Sequence, residues 1–259
     1  MRCIIIFTTL LFLMFQAFSG SLAAQELGVF KSFHIVYHNG QMPSYFSDEK
    51  DFTIFNEHIS AGNSFGIYFN NNLSERTDLE LRMSYHKTHF YFDNIYYFSY
   101  MKPIYDKNGT KIGSGAVSKG IKFNAQGNVT LIGLDTKVRV KLTDRLSFVS
   151  GPSLNYCVGS FVDHYQEAES KYQKFESDKG GILASDSLRI DFYEGDLQNM
   201  NDIFYGAIFG LDYEVIRYGF ILRGEFLFTY YFNDIINTDP WKMMHFNFGV
   251  SVSYDLGKD

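Results

Sequence analysis

The sequence predicts an all-β protein: an eight-stranded antiparallel up-and-down transmembrane β-barrel with short periplasmic turns and long extracellular loops. Three observations predict it. Segments along the chain alternate apolar and polar residues with period two, as strands with two different faces do. Aromatic residues make up 18% of the chain, with 27 Phe and 19 Tyr against one Trp, which suits the aromatic girdles of a membrane barrel. The connections between segments alternate between long and short.

The final segment, residues 245–256, shows the alternation most clearly. Its apolar face consists of Phe246, Phe248, Val250, Val252, Tyr254 and Leu256. Its polar face consists of His245, Asn247, Gly249, Ser251, Ser253 and Asp255. Strands of soluble sheets are typically about 5–6 residues long, whereas a tilted strand crossing a bilayer needs about 9–11. The length therefore favours a membrane strand.

The N-terminus resembles a secretory signal peptide in its physical pattern. Arg2 supplies a positive start, residues 4–15 are apolar, and Ser21 and Ala23 are small residues at the spacing of a cleavage site. We expect a signal peptide at residues 1–25 and one outer-membrane β-barrel domain at residues 26–259. An uncleaved membrane anchor is the alternative.

Eight strands follow in order. They are predicted at residues 27–38, 59–70, 77–92, 127–142, 146–159, 202–215, 220–232 and 245–256. Short turns are predicted at 71–76, 143–145 and 216–219. Longer connections are predicted at 39–58, 93–126, 160–201 and, of medium length, 233–244. Short periplasmic turns with longer loops outside are typical of bacterial outer-membrane barrels.

Several residues refine or challenge these strands. Lys31 falls on the lipid face of the first strand, where we expect it to lie near the periplasmic boundary and extend its ammonium to water. Pro152 cannot donate to the sheet, so a bulge beside Gly151 is predicted. Residues 106–109, Asp-Lys-Asn-Gly, predict the tip of an extra hairpin. A short helix is predicted at 167–175, and Cys157 is placed on the small inward face.

The sequence resembles a known family at three stretches. Residues 142–159 form a strand, turn and strand containing Ser-Gly-Pro-Ser-Leu at 150–154, and residues 205–213 form a strand punctuated by glycine. Residues 220–235 contain Arg223, Glu225, Tyr230, Tyr231 and Asn233. This pattern is similar to the PorT-like outer-membrane β-barrel-domain proteins of the Bacteroidota, and residues 247–254 resemble the C-terminal assembly signal of outer-membrane barrels. The resemblance implies an OmpA-like eight-stranded barrel and a link to protein secretion. It implies no catalytic residues.

Charged residues on the inward faces form the candidate site, a lumen charge network. Its members are Glu80, Arg82, Asp135, Lys137, Arg139, Asp212, Glu214, Arg223, Glu225 and Asp255, with Lys141 a further inward cation. Eight strands leave an interior just wide enough for side chains to fill it, and unpaired buried charges are heavily penalised. We therefore predict a structural plug of ion pairs. A narrow polar channel is the alternative.

Other kinds of chemistry have little support in the sequence. The formal net charge of −6 gives no electrostatic basis for general nucleic-acid binding. The histidines are scattered along the chain at positions 34, 38, 58, 86, 89, 164 and 245. His86 and His89 are the candidates for a catalytic or metal site at the outer rim, although a solvated rim is the favoured interpretation. We expect no cofactor, no metal and no enzymatic activity.

The sequence thus predicts an outer-membrane protein of a Gram-negative bacterium, embedded in outer-membrane lipid. We expect a structural or adaptor role in which extracellular loops bind a partner, such as a secretion or envelope-assembly protein. The second loop is basic and the third is acidic, so the two either pair with each other or face a secreted protein, glycan or lipopolysaccharide. A narrow passive channel and an outer-membrane enzyme are the alternative functions, and a soluble periplasmic barrel is the alternative fold.

Overall fold

The computed structural model describes residues 25–40, 58–105, 109–168, 189–237 and 241–256, in nine strands. They are β1 (Gln25–Gly40), β2 (His58–Asn72), β3 (Thr77–Tyr105), β4 (Lys111–Lys141), β5 (Leu146–Ala168), β6 (Arg189–Gly195), β7 (Ile203–Tyr218), β8 (Phe220–Tyr231) and β9 (Trp241–Asp255). The predicted signal peptide lies almost wholly outside the described residues and stays a prediction, as does the domain boundary at residue 26.

Eight of the strands close into a ring. Their order is β4-β3-β2-β1-β9-β8-β7-β5, and β4 also pairs with β5. Every pairing in the ring is antiparallel. A path through directly paired residues leaves β8 at Ile221 and returns to β8 at Tyr231, ten residues further along. This stagger requires strands that are tilted to the barrel axis, as in membrane barrels.

The two faces of the wall have the composition of a membrane barrel. Large apolar side chains are exposed on the outside, including Phe65, Phe209, Phe226 and Phe248. Outward aromatic rings also contact one another across strands, as Phe226 and Phe248 do at 5.0 Å between ring centroids. Polar and charged side chains are buried inside. The predicted eight-stranded transmembrane barrel is confirmed. Among the described residues there is no helix long and apolar enough to cross a membrane.

One end of the barrel, here called the turn end, carries the tight connections. The β7–β8 connection is tighter than predicted, because β7 continues to Tyr218 and Gly219 alone turns the chain at a φ of 66°. A bulge between Glu214 and Ile216 lies where the predicted turn began. The prediction of a bulge beside Pro152 is also wrong. The β4–β5 register is the same on both sides of Pro152, and the extra residue lies between Cys157 and Gly159.

At the opposite end, here called the loop end, strands replace much of the predicted loops. β3, β4 and β5 contain 29, 31 and 23 residues, whereas about 9–11 cross a bilayer. Their ends beyond the barrel, together with β6, form one antiparallel sheet in the order β3-β4-β5-β6, which we call the outer sheet. β3 and β4 stay paired as far as Tyr105 and Lys111, so a hairpin does surround residues 106–108, which lie outside the described residues. The predicted helix is wrong at residues 167 and 168, which belong to β5; its remainder also lies outside them.

Lys31 lies deeper in the membrane than its place near the start of β1 suggested. It faces outward and is exposed, with outward Leu27 and Val29 on its turn-end side and Phe33 and Ile35 on its loop-end side. Lys31 is six residues beyond Gln25, the first residue of β1. At about 3.3 Å per residue along a strand tilted by about 40°, it is roughly 15 Å above that start. Because the apolar band of such barrels is about 25 Å tall, Lys31 lies near its middle.

Candidate functional site

The lumen is filled by three layers, of which the one nearest the turn end consists of charged side chains. Glu80 on β3 is at its centre and accepts from three cations. Lys137 and Arg139 on β4 approach its carboxylate to 2.6 Å each, and Arg82 approaches to 2.9 Å. All four side chains are buried. We call this layer the charge plug.

Two further ion pairs tie the charge plug to β8, on the opposite side of the ring from β3, and to β7, two strands from β4. The Arg82 guanidinium donates to both carboxylate oxygens of Glu225 on β8, at 2.7 and 2.8 Å. The Arg82 Cζ atom lies over the Phe30 ring, 4.0 Å from the centroid, a favourable cation–π position. Arg139 donates through its Nε to Asp212 on β7. The charge plug therefore joins strands that are not neighbours in the ring.

Arg223 on β8 forms a second group at the turn end. It pairs with Glu26 on β1 at 2.8 Å and also donates to the hydroxyls of Tyr68 and Ser253. Glu26 was not among the predicted members of the network, although it shares the inward parity of Gly28 and the buried residues that follow it on β1. Gly28 is needed beside this group, because a Cβ at that position would collide with the Tyr68 ring.

The structure brings together seven of the ten predicted network residues and separates the others. Asp135 is buried and accepts from Ser153 at 2.6 Å, close to Glu80 and its partners. Glu214, by contrast, forms an exposed pair with Arg217 at the turn end, with hydrogen bonds of 2.6 and 2.7 Å. Asp255 is half-buried at the end of β9. Lys141 keeps the inward parity of Arg139 but lies at the turn end, where it donates to the backbone carbonyl of Glu75.

The middle layer was missed altogether, because its members are far apart in the sequence. The rings of His34, His86 and His245 lie together in the lumen, with centroids 5.1 to 6.4 Å apart. His86 approaches Ser84 at 2.6 Å and His34 approaches Thr88 at 2.9 Å. We call this the histidine layer. The only signal in the sequence was that each of the three histidines occupies an inward position of its strand. Alternation along a strand determines which side of the wall a residue faces, but not its height along the barrel axis.

The structure separates His86 and His89, the two candidates for a catalytic or metal site at the outer rim, and His86 is not at a solvated rim. His86 is buried in the lumen, whereas His89, three residues further on β3, faces outward and is exposed. Residues three apart on a strand point to opposite faces, so the two cannot share a metal or a substrate. The described residues contain no group of three or more His, Cys, Asp or Glu placed to hold a metal ion.

An apolar layer closes the lumen toward the loop end. It contains Val36, Phe90, Phe92, Phe123, Ala125, Val129, Leu131, Val162, Leu197, Phe204, Tyr231, Ile235, Ile236, Trp241 and Met243. The connections on either side of β7 and β8 contribute Leu197, Ile235 and Ile236, and a bridge between Met200 and Ile236 holds these connections together. We call this layer the apolar cap. Between the charge plug and the histidine layer, a cavity of about 20 Å³ remains, about the size of one water molecule.

The outer sheet is the other candidate site. Its predicted loop-to-loop association is present as backbone pairing of β4 with β5, with Asn124 and Gln126 donating to Glu167 and Asp163. Lys122 pairs within its own hairpin, at 2.9 Å from Asp93. This contact, a charge-assisted hydrogen bond, raises the pKa of the Lys122 ammonium. His164 is fully buried in the sheet, and burial lowers the pKa of its imidazole to about 4.

Several solved bacterial proteins are similar to this chain at low sequence identity. The attachment invasion locus protein Ail of Yersinia pestis, solved with the heparin analogue sucrose octasulfate, is similar at 6% identity and a TM-score of 0.37, covering 89% of this chain and 99% of that one. Neisserial surface protein A is similar at 12% identity and a TM-score of 0.36, covering 89% of this chain and 98% of that one. The outer membrane protease OmpT of Escherichia coli is similar at 10% identity and a TM-score of 0.35, covering 90% of this chain and 96% of that one.

No family model matches this chain, and no curated protein matches it. The resemblance to the PorT-like family therefore stays a prediction.

Proposed function

We propose that this protein resides in the outer membrane of a Gram-negative bacterium and acts there as a structural or adaptor protein. Its outer sheet, on the extracellular side, binds a partner such as a secretion or envelope-assembly protein. The observation that carries the proposal is the length of β3, β4 and β5, which continue as a paired sheet well beyond the residues needed to cross a bilayer. A rigid sheet held above the membrane is a suitable platform for binding.

The filled lumen supports an adaptor over a channel. The charge plug and the apolar cap lie at different levels of the barrel, and each consists of buried, packed side chains. A narrow passive channel would require both layers to open. The Ser84–His86 hydrogen bond has the composition of a nucleophile and base, but both side chains are buried, so it gives no support to an enzyme.

A hairpin truncation tests the platform. Asp93 and Asn124 are paired across β3 and β4, so residues 94–123 can be replaced by Asn-Gly, which closes a two-residue hairpin. We expect the shortened protein to remain a folded barrel that migrates differently on gels before and after heating. Chemical cross-linking in intact cells should recover a stoichiometric envelope protein with the full-length chain and lose it with the shortened one.

The matched control replaces the exposed Glu214–Arg217 pair at the turn end with Gln and Met, which leaves the outer sheet unchanged. This variant should keep the cross-linked partner. Recovery of the same partner by the hairpin truncation would contradict the platform. Raising the salt concentration distinguishes electrostatic from non-electrostatic binding of the partner. Electrostatic binding weakens as the ionic strength rises.

A further inference from the structure

The lipid-facing surface contains a groove that ends at Lys31. A row of directly paired residues crosses five strands there: Lys31, Val250, Gly224, Tyr213 and Leu146. These residues line a groove of about 510 Å³ on the outside of the barrel. Its floor is at Gly224, where an added Cβ would meet no atom within 4 Å. The wall is therefore indented two strands away from the lysine, on the far side of Val250.

Lys31 is a charged residue on the lipid-facing surface, where apolar side chains are expected. Apolar side chains flank it along β1, and its register neighbours Phe65 and Val250 are apolar and exposed. Lys87, another outward lysine, lies near the upper margin of the band, level with Asn63 and Thr130. Charged groups at mid-membrane are costly and are retained where they face a partner. No ion pair to Lys31 is found among the described residues.

We propose that this groove binds a second membrane-spanning protein, which presents an aspartate or glutamate to Lys31 near the middle of the bilayer. Charge complementarity identifies the occupant. An ammonium in a low-dielectric surrounding gains most from a carboxylate at short range, and the indentation at Gly224 provides room for a partner side chain. This surface is distinct from the outer sheet, so it adds a lateral interaction within the membrane to the proposed extracellular one.

Two other occupants fit less well. A lipid phosphate lies outside the apolar band, which is about 25 Å tall, so its upper edge is roughly 10 Å above Lys31. That distance is beyond the reach of a four-carbon lysine stem. In a second copy of this chain, the described outward side chains level with Lys31 include no aspartate or glutamate to pair with it. A two-fold dimer through this surface would also bring two lysines together.

Photo-cross-linking in cells tests the proposal. A benzophenone amino acid replaces Phe248, which lines the groove, and in a separate variant replaces Tyr85, on the opposite side of the ring. We expect irradiation to give one protein adduct from position 248 and none from position 85. Lys31→Met and Gly224→Phe should each lower the yield by at least about tenfold, whereas Lys31→Arg and Lys87→Met should preserve it.

Charge exchange decides whether the contact is the proposed one. The adduct is digested to identify the partner's membrane-spanning segment, and its Asp or Glu is changed to Lys. This change should abolish the adduct with the native chain and restore it with Lys31→Glu. An unchanged yield from Lys31→Met would overturn the proposal, as would adducts containing only lipid or only a second copy of this chain.

Discussion

Arg82 and Glu225 face each other across the lumen and are joined by two hydrogen bonds of 2.7 and 2.8 Å, although 143 residues separate them in the sequence. Their strands, β3 and β8, are on opposite sides of the ring. The pair therefore braces the barrel across its diameter, in addition to the backbone hydrogen bonds around the wall. Bidentate Arg–carboxylate pairs are among the strongest in proteins, and both members here are buried.

The first prediction is that Arg82 and Glu225 contribute to stability as a strongly coupled pair. Glu225→Gln should lower the free energy of unfolding by about 3–5 kcal/mol, because it leaves the Arg82 charge buried with Glu80 as its remaining close carboxylate. The double variant Arg82→Met with Glu225→Met should recover most of that loss, since no uncompensated charge remains. Urea titration in lipid vesicles, followed by the gel mobility of unheated samples, measures both.

Glu214→Gln provides the matched control for that prediction. Glu214 also has a bidentate arginine partner, but Arg217 is exposed, so the loss should be below about 1 kcal/mol. Equal losses at the two sites would show that burial does not strengthen the brace.

The second prediction separates the plug from a channel. Arg223→Gln should lower the melting temperature, because Glu26 loses its cation in a buried site. Conductance in planar bilayers should stay at the background level, because the apolar cap and the charge plug remain in place. Replacing Glu26 with Gln as well should restore part of the melting temperature. A clear gain in conductance with Arg223→Gln would instead support the narrow channel.

The third prediction concerns two glycines on opposite faces of the wall. Gly28→Ala should destabilise the barrel by about 1–3 kcal/mol, the usual effect of overpacking, because its Cβ would collide with the Tyr68 ring. Gly224→Ala should have little effect, since open space surrounds that position. Thermal melting of both variants in the same detergent is sufficient, and a stable Gly28→Ala barrel would show that Tyr68 can move aside.

The fourth prediction is an acid-induced loosening of the outer sheet. The folded His164 imidazole has its pKa lowered to about 4 by burial, against about 6.5 in an unfolded segment. The unfolded segment therefore binds more protons between these two values, so stability rises with pH across this window and is lost as pH falls through it. At pH 4 the loss approaches about 3 kcal/mol.

Limited proteolysis of intact cells at pH 7 and pH 4.5 measures this loosening. Cleavage of the native outer sheet should increase at the lower pH, whereas His164→Gln should respond little to pH. His89→Gln, at an exposed outward position on β3, should keep the native response. The same pH response in His164→Gln would assign the effect to another group.

The sequence alone predicted the barrel wall well, because local chemistry decides it. Alternation with period two places Phe246 and Phe248 outside and His245 and Asn247 inside without knowledge of any other strand. Short turns at residues 71–76 and 143–145 follow from polar residues between two apolar strands. The exceptions have local causes as well. Gly219 can adopt a positive φ and so turns the chain in a single residue, which lengthened β7 beyond its predicted end.

The contents of the lumen were only partly predictable. Parity identified Arg82, Lys137 and Arg139 as inward, but it gave no means of choosing their partners. Glu26 was missed because the predicted first strand began at residue 27, whereas β1 begins at Gln25. The histidine layer was missed because His34, His86 and His245 meet only when β1, β3 and β9 take their places in the ring.

The sequence by itself therefore determined which residues form the strands and which face each one takes, since both follow from the geometry of a single strand. Only the tertiary structure decided the depth of each residue and its partner across the lumen. Depth and partner both depend on the stagger of the strands, which shifts a path of paired residues around the ring from Ile221 to Tyr231. Stagger is a property of the closed ring and not of any single strand. The pairing of Arg82 with Glu225 across the lumen is the clearest consequence.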